Sequence, residues 1–206
     1  MNTRILARIT AATLLALSAG SCAREYANYP PITGDDFAVK NVNSQNMRSA
    51  MAAALRWTAL RYPPPGNAFA INLPPGVTPA TYEAVAQAVG NGAVPLSEEN
   101  EKSLPIYHIT RIWLRGTVAR IDVVRPVFEV ENKPGGGPVY RGAEIRLSGG
   151  WEPWHVTGSS EYEIGVLEPP ALHPINQASD VYPTIEPMPA PYGAPINTKP
   201  DPAPGS

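Results

Sequence analysis

The placement of proline constrains this chain more than any other feature. Eleven of its 25 prolines fall between Pro169 and Pro204, and others cluster at Pro30-Pro31, Pro63-Pro64-Pro65 and Pro74-Pro75. Proline lacks the N–H that a helix or sheet interior needs, and it restricts the residue before it. Regular elements must therefore fit between the clusters. The bulky apolar residues concentrate in residues 44–167, so that segment has to supply the core. A stretch of roughly 120 residues can bury a usable core without cross-links. It has to, because Cys22 is the single cysteine and no intrachain disulfide is available.

The first residues carry an export signal. Arg4 and Arg8 form a cationic start, Ile9 to Ala19 is an uncharged apolar run, and small residues lead into Cys22. The run is too short to span a bilayer as a helix, and no later segment approaches ~18 consecutive apolar residues. Ala19-Gly20-Ser21-Cys22 resembles the lipobox of bacterial lipoproteins, in which the cysteine becomes the acylated N-terminus. The resemblance implies lipidation of Cys22, an envelope location, and, with Ala23 following, sorting to the periplasmic face of the outer membrane. Ala19 stands where that family usually has Leu, and Ser21-Cys22-Ala23 also suits ordinary cleavage after Ala23. Secretion as a soluble protein is thus the alternative. A lone cysteine in an oxidising compartment needs an explanation, and acylation supplies one.

Removing residues 1–21 leaves 185 residues, and losing Arg4 and Arg8 takes the formal charge from −2 to −4. No basic excess exists for a nucleic-acid backbone, and there is no polybasic segment for anionic lipid either. The expected organisation is a signal peptide over residues 1–21, a lipidated tether over 22–43, a globular domain over 44–167 and a Pro-rich disordered tail over 168–206. The tail suits a solvated spacer of polyproline II character or a docking peptide for an envelope protein partner.

Within the domain, Ser44 to Tyr62 has no Gly or Pro, and Met47, Ala50, Met51, Ala54, Leu55, Thr58 and Tyr62 form one stripe. This predicts a helix with an inward face, capped by Asn43 or Ser44 and stopped by Pro63. Residues 68–73 predict a strand. Thr78-Pro79 predicts a second helix start, with Tyr82, Val85, Ala86 and Val89 inward and Gly90-Asn91-Gly92 as its stop. Between Ile106 and Val127 the alternation changes parity, which predicts a hairpin turning at Arg115-Gly116, with a bulge at Gly116 as the alternative. That register sets Arg111 opposite Arg120. Further strands are expected around residues 143–147, as a short piece from Trp151 to Val156, and at 162–166, with a turn at Gly158-Ser159-Ser160. The fold class is α+β: two helices packed on a curved, mainly antiparallel sheet of four or five strands. The element order is loosely similar to the nuclear-transport-factor-2-like or cystatin-like group, a likeness without functional content.

The search for chemistry excludes more than it finds. His108, His155 and His173 form no metal-ligand spacing, so no metal or other cofactor is expected. No nucleophile elbow or phosphate-binding glycine pattern occurs. The best acid–base pair, His108 with Asp122, is set on opposite faces by the predicted register. Glu161 and Glu163 read as a solvated strand face. Arg111, Trp113 and Arg115 share a face and form the candidate ligand site, suited to stacking on or binding an anion. The expectation is a non-enzymatic, lipid-anchored binding or structural module. The alternative is a small-molecule-binding or hydrolytic domain with a pocket on the concave sheet face, lined by Tyr107, His108, Trp113 or Trp154.

Overall fold

The computed structural model describes residues 26–31, 41–130 and 137–177. Cys22, most of the expected tether and residues 178–206 lie outside the described residues. Among the described residues, two helices and seven strands follow one another as β1 (Tyr26–Tyr29), α1 (Gln45–Arg61), β2 (Phe69–Asn72), α2 (Pro79–Val89), β3 (Ala93–Pro95), β4 (Ile106–Arg115), β5 (Val118–Pro126), β6 (Tyr140–Ser148) and β7 (His155–Glu161). A single 3-10 turn, Ile175–Gln177, comes last.

The strands form one sheet in the order β3-β2-β4-β5-β6-β7, and β1 pairs with β4 beyond the end of β2. The expected four or five strands are therefore too few. β2 runs parallel to both β3 and β4, and the other pairings are antiparallel. Two short strands account for the shortfall. β1 lies inside the segment expected to be a featureless tether, and three-residue β3 follows directly on the second helix.

Both helices start and stop as the sequence predicts. The Ser44 side chain accepts from Met47 N, and that of Thr78 accepts from Thr81 N, with Pro79 in the first turn. Gly90, at φ 67°, ends α2. Gly92 has φ 80°, and a Cβ there would lie 1.6 Å from Asn67 O, so that position admits only glycine. Met47, Ala50, Met51, Ala54 and Leu55 of α1, with Tyr82, Val85 and Val89 of α2, pack on Phe69, Ile71, Tyr107, Ile109, Ile112, Leu114, Ile121, Val123, Ile145 and Leu147. This is the main core, on what we call the inner face. Arg56 of α1 donates to Ala88 O of α2. No helix among the described residues is long and apolar enough to cross a membrane.

The hairpin exists, but its register differs from the expected one. Leu114 pairs with Ala119 and Ile112 with Ile121, so the turn is Gly116-Thr117 and Arg111 stands opposite Asp122, not Arg120. The pairing shifts between Ile109 and Arg111, which makes Thr110 a bulge. Ile109 and Ile112, three apart, therefore both face inward. The bulge also reverses the parity of what precedes it. His108 pairs with Val124 and lies on the same outer face as Asp122, contrary to the expected opposition.

β7 corrects a second reading. Gly158, Ser159 and Ser160 are interior to this strand, not a turn, and residues 162–166 form no strand. Gly158 pairs with Arg146, whose guanidinium passes over it: a Cβ at Gly158 would sit 3.3 Å from Nη2.

Candidate functional site

The outer face of the sheet collects His108, Arg111, Trp113, Arg115 and Asp122 from the residues singled out for chemistry. Its central part is covered by the chain that follows β7. Tyr162 N donates to Gly142 O (2.9 Å), and the Leu167 side chain packs over Gly142, where an added Cβ would lie 2.6 Å from Cδ1. Further on, Asn72 Nδ2 donates to Ala171 O (2.9 Å) and His173 N donates to Asn72 Oδ1 (2.9 Å). The Tyr82 hydroxyl donates to His173 O (2.8 Å) and accepts from Leu73 N (2.8 Å). Ile175 N reaches Leu96 O (2.7 Å) beside β3. Residues 162–177 thus form a strap across the outer face, from β6 to β3. The first part of the expected disordered tail, residues 168–177, belongs to the folded body.

The strap seals the acid–base candidates. His108 is 1% exposed, and its Nδ1 lies 3.1 Å from Asn72 Nδ2. Since the Asn72 amide donates, Nδ1 accepts and the proton resides on Nε2. Nε2 has no hydrogen-bond partner, and the ring stands edge-on to Tyr140 with centroids 5.5 Å apart. Burial lowers its pKa from 6.5 to about 4, which keeps it neutral. Asp122 is 3% exposed. Its Oδ2 pairs with Arg111 Nη2 at 2.8 Å and its Oδ1 accepts from the Tyr162 hydroxyl at 3.4 Å. Burial raises its pKa to about 6, opposed by Arg111 and aided by the nearby Glu144. Burial outweighs the ion pair because the Arg111 side chain is half exposed and its charge is screened.

Towards the β4–β5 turn the outer face is open. Here the structure brings Trp113 and Arg115 together as expected and adds two residues that sequence reasoning missed. The Arg115 guanidinium lies 4.9 Å from the Trp113 ring centroid and 5.6 Å from that of Tyr26, and Arg120 lies 5.4 Å from Trp113 on its other neighbour strand. Arg120 pairs in turn with Arg146 on β6, and both are exposed. Arg115 also donates to Asn28 Oδ1 (3.0 Å) and Ala27 O (3.3 Å), which ties β1 to β4. Arg111 belongs functionally to Asp122 and the strap rather than to this open cluster. Arg120 shares the parity of Asp122, and the expected hairpin already set it on this face, but opposite Arg111 rather than Trp113. Arg146 required the β5–β6 register.

The lining proposed for a pocket is dispersed. His108 and Trp113 are on the outer face. Tyr107 and Trp154 are on the inner face at opposite ends, Tyr107 donating to Tyr62 O (2.6 Å) and Trp154 Nε1 to Asn46 Oδ1 (2.9 Å). Glu161 accepts from the Tyr62 hydroxyl and pairs with Arg141 at 2.8 Å. The Arg125 guanidinium stacks 3.7 Å from the Tyr62 ring centroid. A groove of about 450 Å³ beside the end of α1 is lined by residues such as Leu60, Pro63, Asn67, Phe69 and Asn91, none of them ionisable. Among the described residues no three His, Cys, Asp or Glu side chains are grouped to hold a metal ion. Compared with protein-family models, with curated proteins and with solved structures, the chain matches none.

Proposed function

We propose that this chain is a lipid-anchored, non-catalytic interaction module of the cell envelope. It is acylated at Cys22 and presents its α+β domain at the membrane surface. The observation that best supports the non-catalytic reading is the employment of His108 and Asp122. Both are buried, and both fasten the strap: His108 through Asn72, which holds Ala171 and His173, and Asp122 through Tyr162. A general acid or base must reach a substrate proton, whereas Asp122 reaches the strap and His108 the Asn72 amide that holds it. The surface left for a partner is the open end of the outer face, where Trp113 lies among Arg115 and Arg120. The export signal and Cys22 support the anchor.

Metabolic labelling with radiolabelled palmitate tests this directly. The wild-type chain takes up label and sediments with membranes, whereas Cys22→Ala takes up none. Equal labelling of both chains, or of neither, refutes acylation at this residue.

A further inference from the structure

The sheet end that holds Tyr26 carries a combination of groups suited to a bilayer surface. Three elements each bring an exposed apolar side chain to that end: Tyr26 of β1 (36% exposed), Val118 at the start of β5 (44%) and Trp151 of the β6–β7 turn (72%). Tyr26 pairs with Arg115, and Arg115 with Val118 across the hairpin turn. Gly149 N donates to Thr117 O (2.9 Å), which holds the β6–β7 turn beside that hairpin. The same end carries Arg115 and Arg120, with Arg146 behind them and Glu152 as the carboxylate of the adjoining turn. A chain of formal charge −4 after signal removal has thus gathered arginine where its aromatic side chains are exposed. Arg120 and Arg146 stand directly opposite each other, a like-charge pair that costs stability unless an anion relieves it.

Covalent reach supplies the second argument. Four peptide steps separate Cys22 from Tyr26, a span of at most ~14 Å. Tyr26 is fixed to β4 by pairing. A membrane holding Cys22 therefore lies within one short step of this end of the sheet. Tyr and Trp settle at the headgroup level, where one end of the ring is apolar and the other wet, and arginine attracts anionic headgroups.

We propose that Tyr26, the β4–β5 hairpin tip and the β6–β7 turn form a membrane-docking tip that rests on the anionic headgroup layer of the bilayer anchoring Cys22. The proposal rests on the acylated-Cys22 reading for its geometry. Docking orients the domain with β1 downward and leaves the strap facing away. The basic group is discontinuous in sequence, drawn from β4, β5 and β6, which is why no polybasic run announces it.

The test uses purified acylated protein in vesicles of phosphatidylethanolamine and phosphatidylglycerol whose acyl chains are brominated near the headgroup. Tryptophan emission is quenched, the quenched component disappears in Trp151→Ser, and replacing phosphatidylglycerol with phosphatidylcholine weakens the quenching. Palmitate labelling together with an absence of Trp151 quenching overturns the docking tip and leaves the anchor standing. The unacylated mature polypeptide, residues 24–206, separates the two readings further. At millimolar lipid it co-floats with anionic vesicles, and Arg120→Gln with Arg146→Gln lowers its partitioning about tenfold or more. Co-flotation in a chain that takes up no palmitate upholds the tip without the anchor. No co-flotation there overturns the tip.

Discussion

On the inner face of the sheet, α1 and α2 bury a continuous apolar stripe against β2, β4, β5 and β6. On the outer face, residues 162–177 cross the same strands with little regular structure and are held by Asn72, Tyr82 and Asp122. The two covers solve one problem by different physics. A helix satisfies its own backbone, so its contact with the sheet can be wholly apolar, and its stability scales with buried area. An irregular strap arrives with free N–H and C=O groups, which are costly to bury unpaired. The sheet must offer it polar side chains. Asn72, fully buried, donates to one strap carbonyl and accepts from one strap N–H while also holding His108. A buried asparagine in a four-residue strand thus does for the strap what the Met and Ala stripe does for α1.

The sharpest way to break this comparison is to damage each face in turn. Leu55→Ala removes a fully buried side chain from the inner core. It should cost about 3 kcal/mol and lower the midpoint of cooperative unfolding by denaturant. Asn72→Ala should cost about 2 kcal/mol, since it leaves Ala171 O and His173 N without their partner. Its signature differs. Hydrogen exchange should accelerate at residues 171–177 beyond the loss in global stability, because the strap can open while the inner core persists. Uniform acceleration across the domain would show that the strap and the helices form one cooperative unit.

The second comparison lies within the outer face, where His108 and Asp122 titrate in opposite senses. Folding lowers His108 from 6.5 to about 4. Its contribution is complete above pH 6.5 and declines as pH falls towards 4, because only the unfolded chain takes up the proton. Folding raises Asp122 from 3.8 to about 6. Its contribution is complete below pH 4 and declines as pH rises through 6. Each amounts to about 3 kcal/mol over nearly the same window, so they offset and the wild-type stability curve should be shallow between pH 4 and 6.5. His108→Gln should unmask Asp122, with stability rising as pH falls. Asp122→Asn should unmask His108, with stability falling as pH falls. Denaturant midpoints across this range measure both slopes, and equal slopes in the two variants would refute the offset.

The inner face was largely legible in sequence because helix stripes repeat every three or four residues and end at marked caps. Ser44, Thr78, Pro79 and Gly90 each stand where their side chains or dihedrals are needed. The outer face was not, for three physical reasons. The Thr110 bulge adds a second parity change upstream of the one at the turn, which Ile109 and Ile112, three apart, signal. Gly158-Ser159-Ser160 has turn composition, yet the space over Gly158 is what the Arg146 side chain occupies. Residues 168–177 have the composition of a spacer and are ordered by partners more than 75 residues away in sequence. The candidate site suffered accordingly. Trp113 and Arg115 were found by alternation along one strand, while Arg120 and Arg146 depended on pairing across strands. Arg111, placed in the same group, instead serves Asp122.

Tyr162→Phe makes the smallest change and separates the strap's two kinds of fastening. The hydroxyl donates to Asp122 over a long 3.4 Å and accepts from Arg111 at 3.2 Å, while Tyr162 N keeps its bond to Gly142 O in the variant. Asp122 also retains Arg111 at 2.8 Å. The loss at neutral pH should therefore be only about 0.5 kcal/mol. The effect on titration has a definite sign. The tyrosine hydroxyl stabilises the Asp122 carboxylate, so removing it raises the Asp122 pKa further. The stabilisation present at low pH then persists to higher pH than in the wild type, and the pH at which it fades moves upward in Tyr162→Phe. Repeating the measurement in the His108→Gln background isolates this shift from the opposing histidine. An unmoved transition there would show that Tyr162 is held by its backbone alone and that its hydroxyl only touches Asp122.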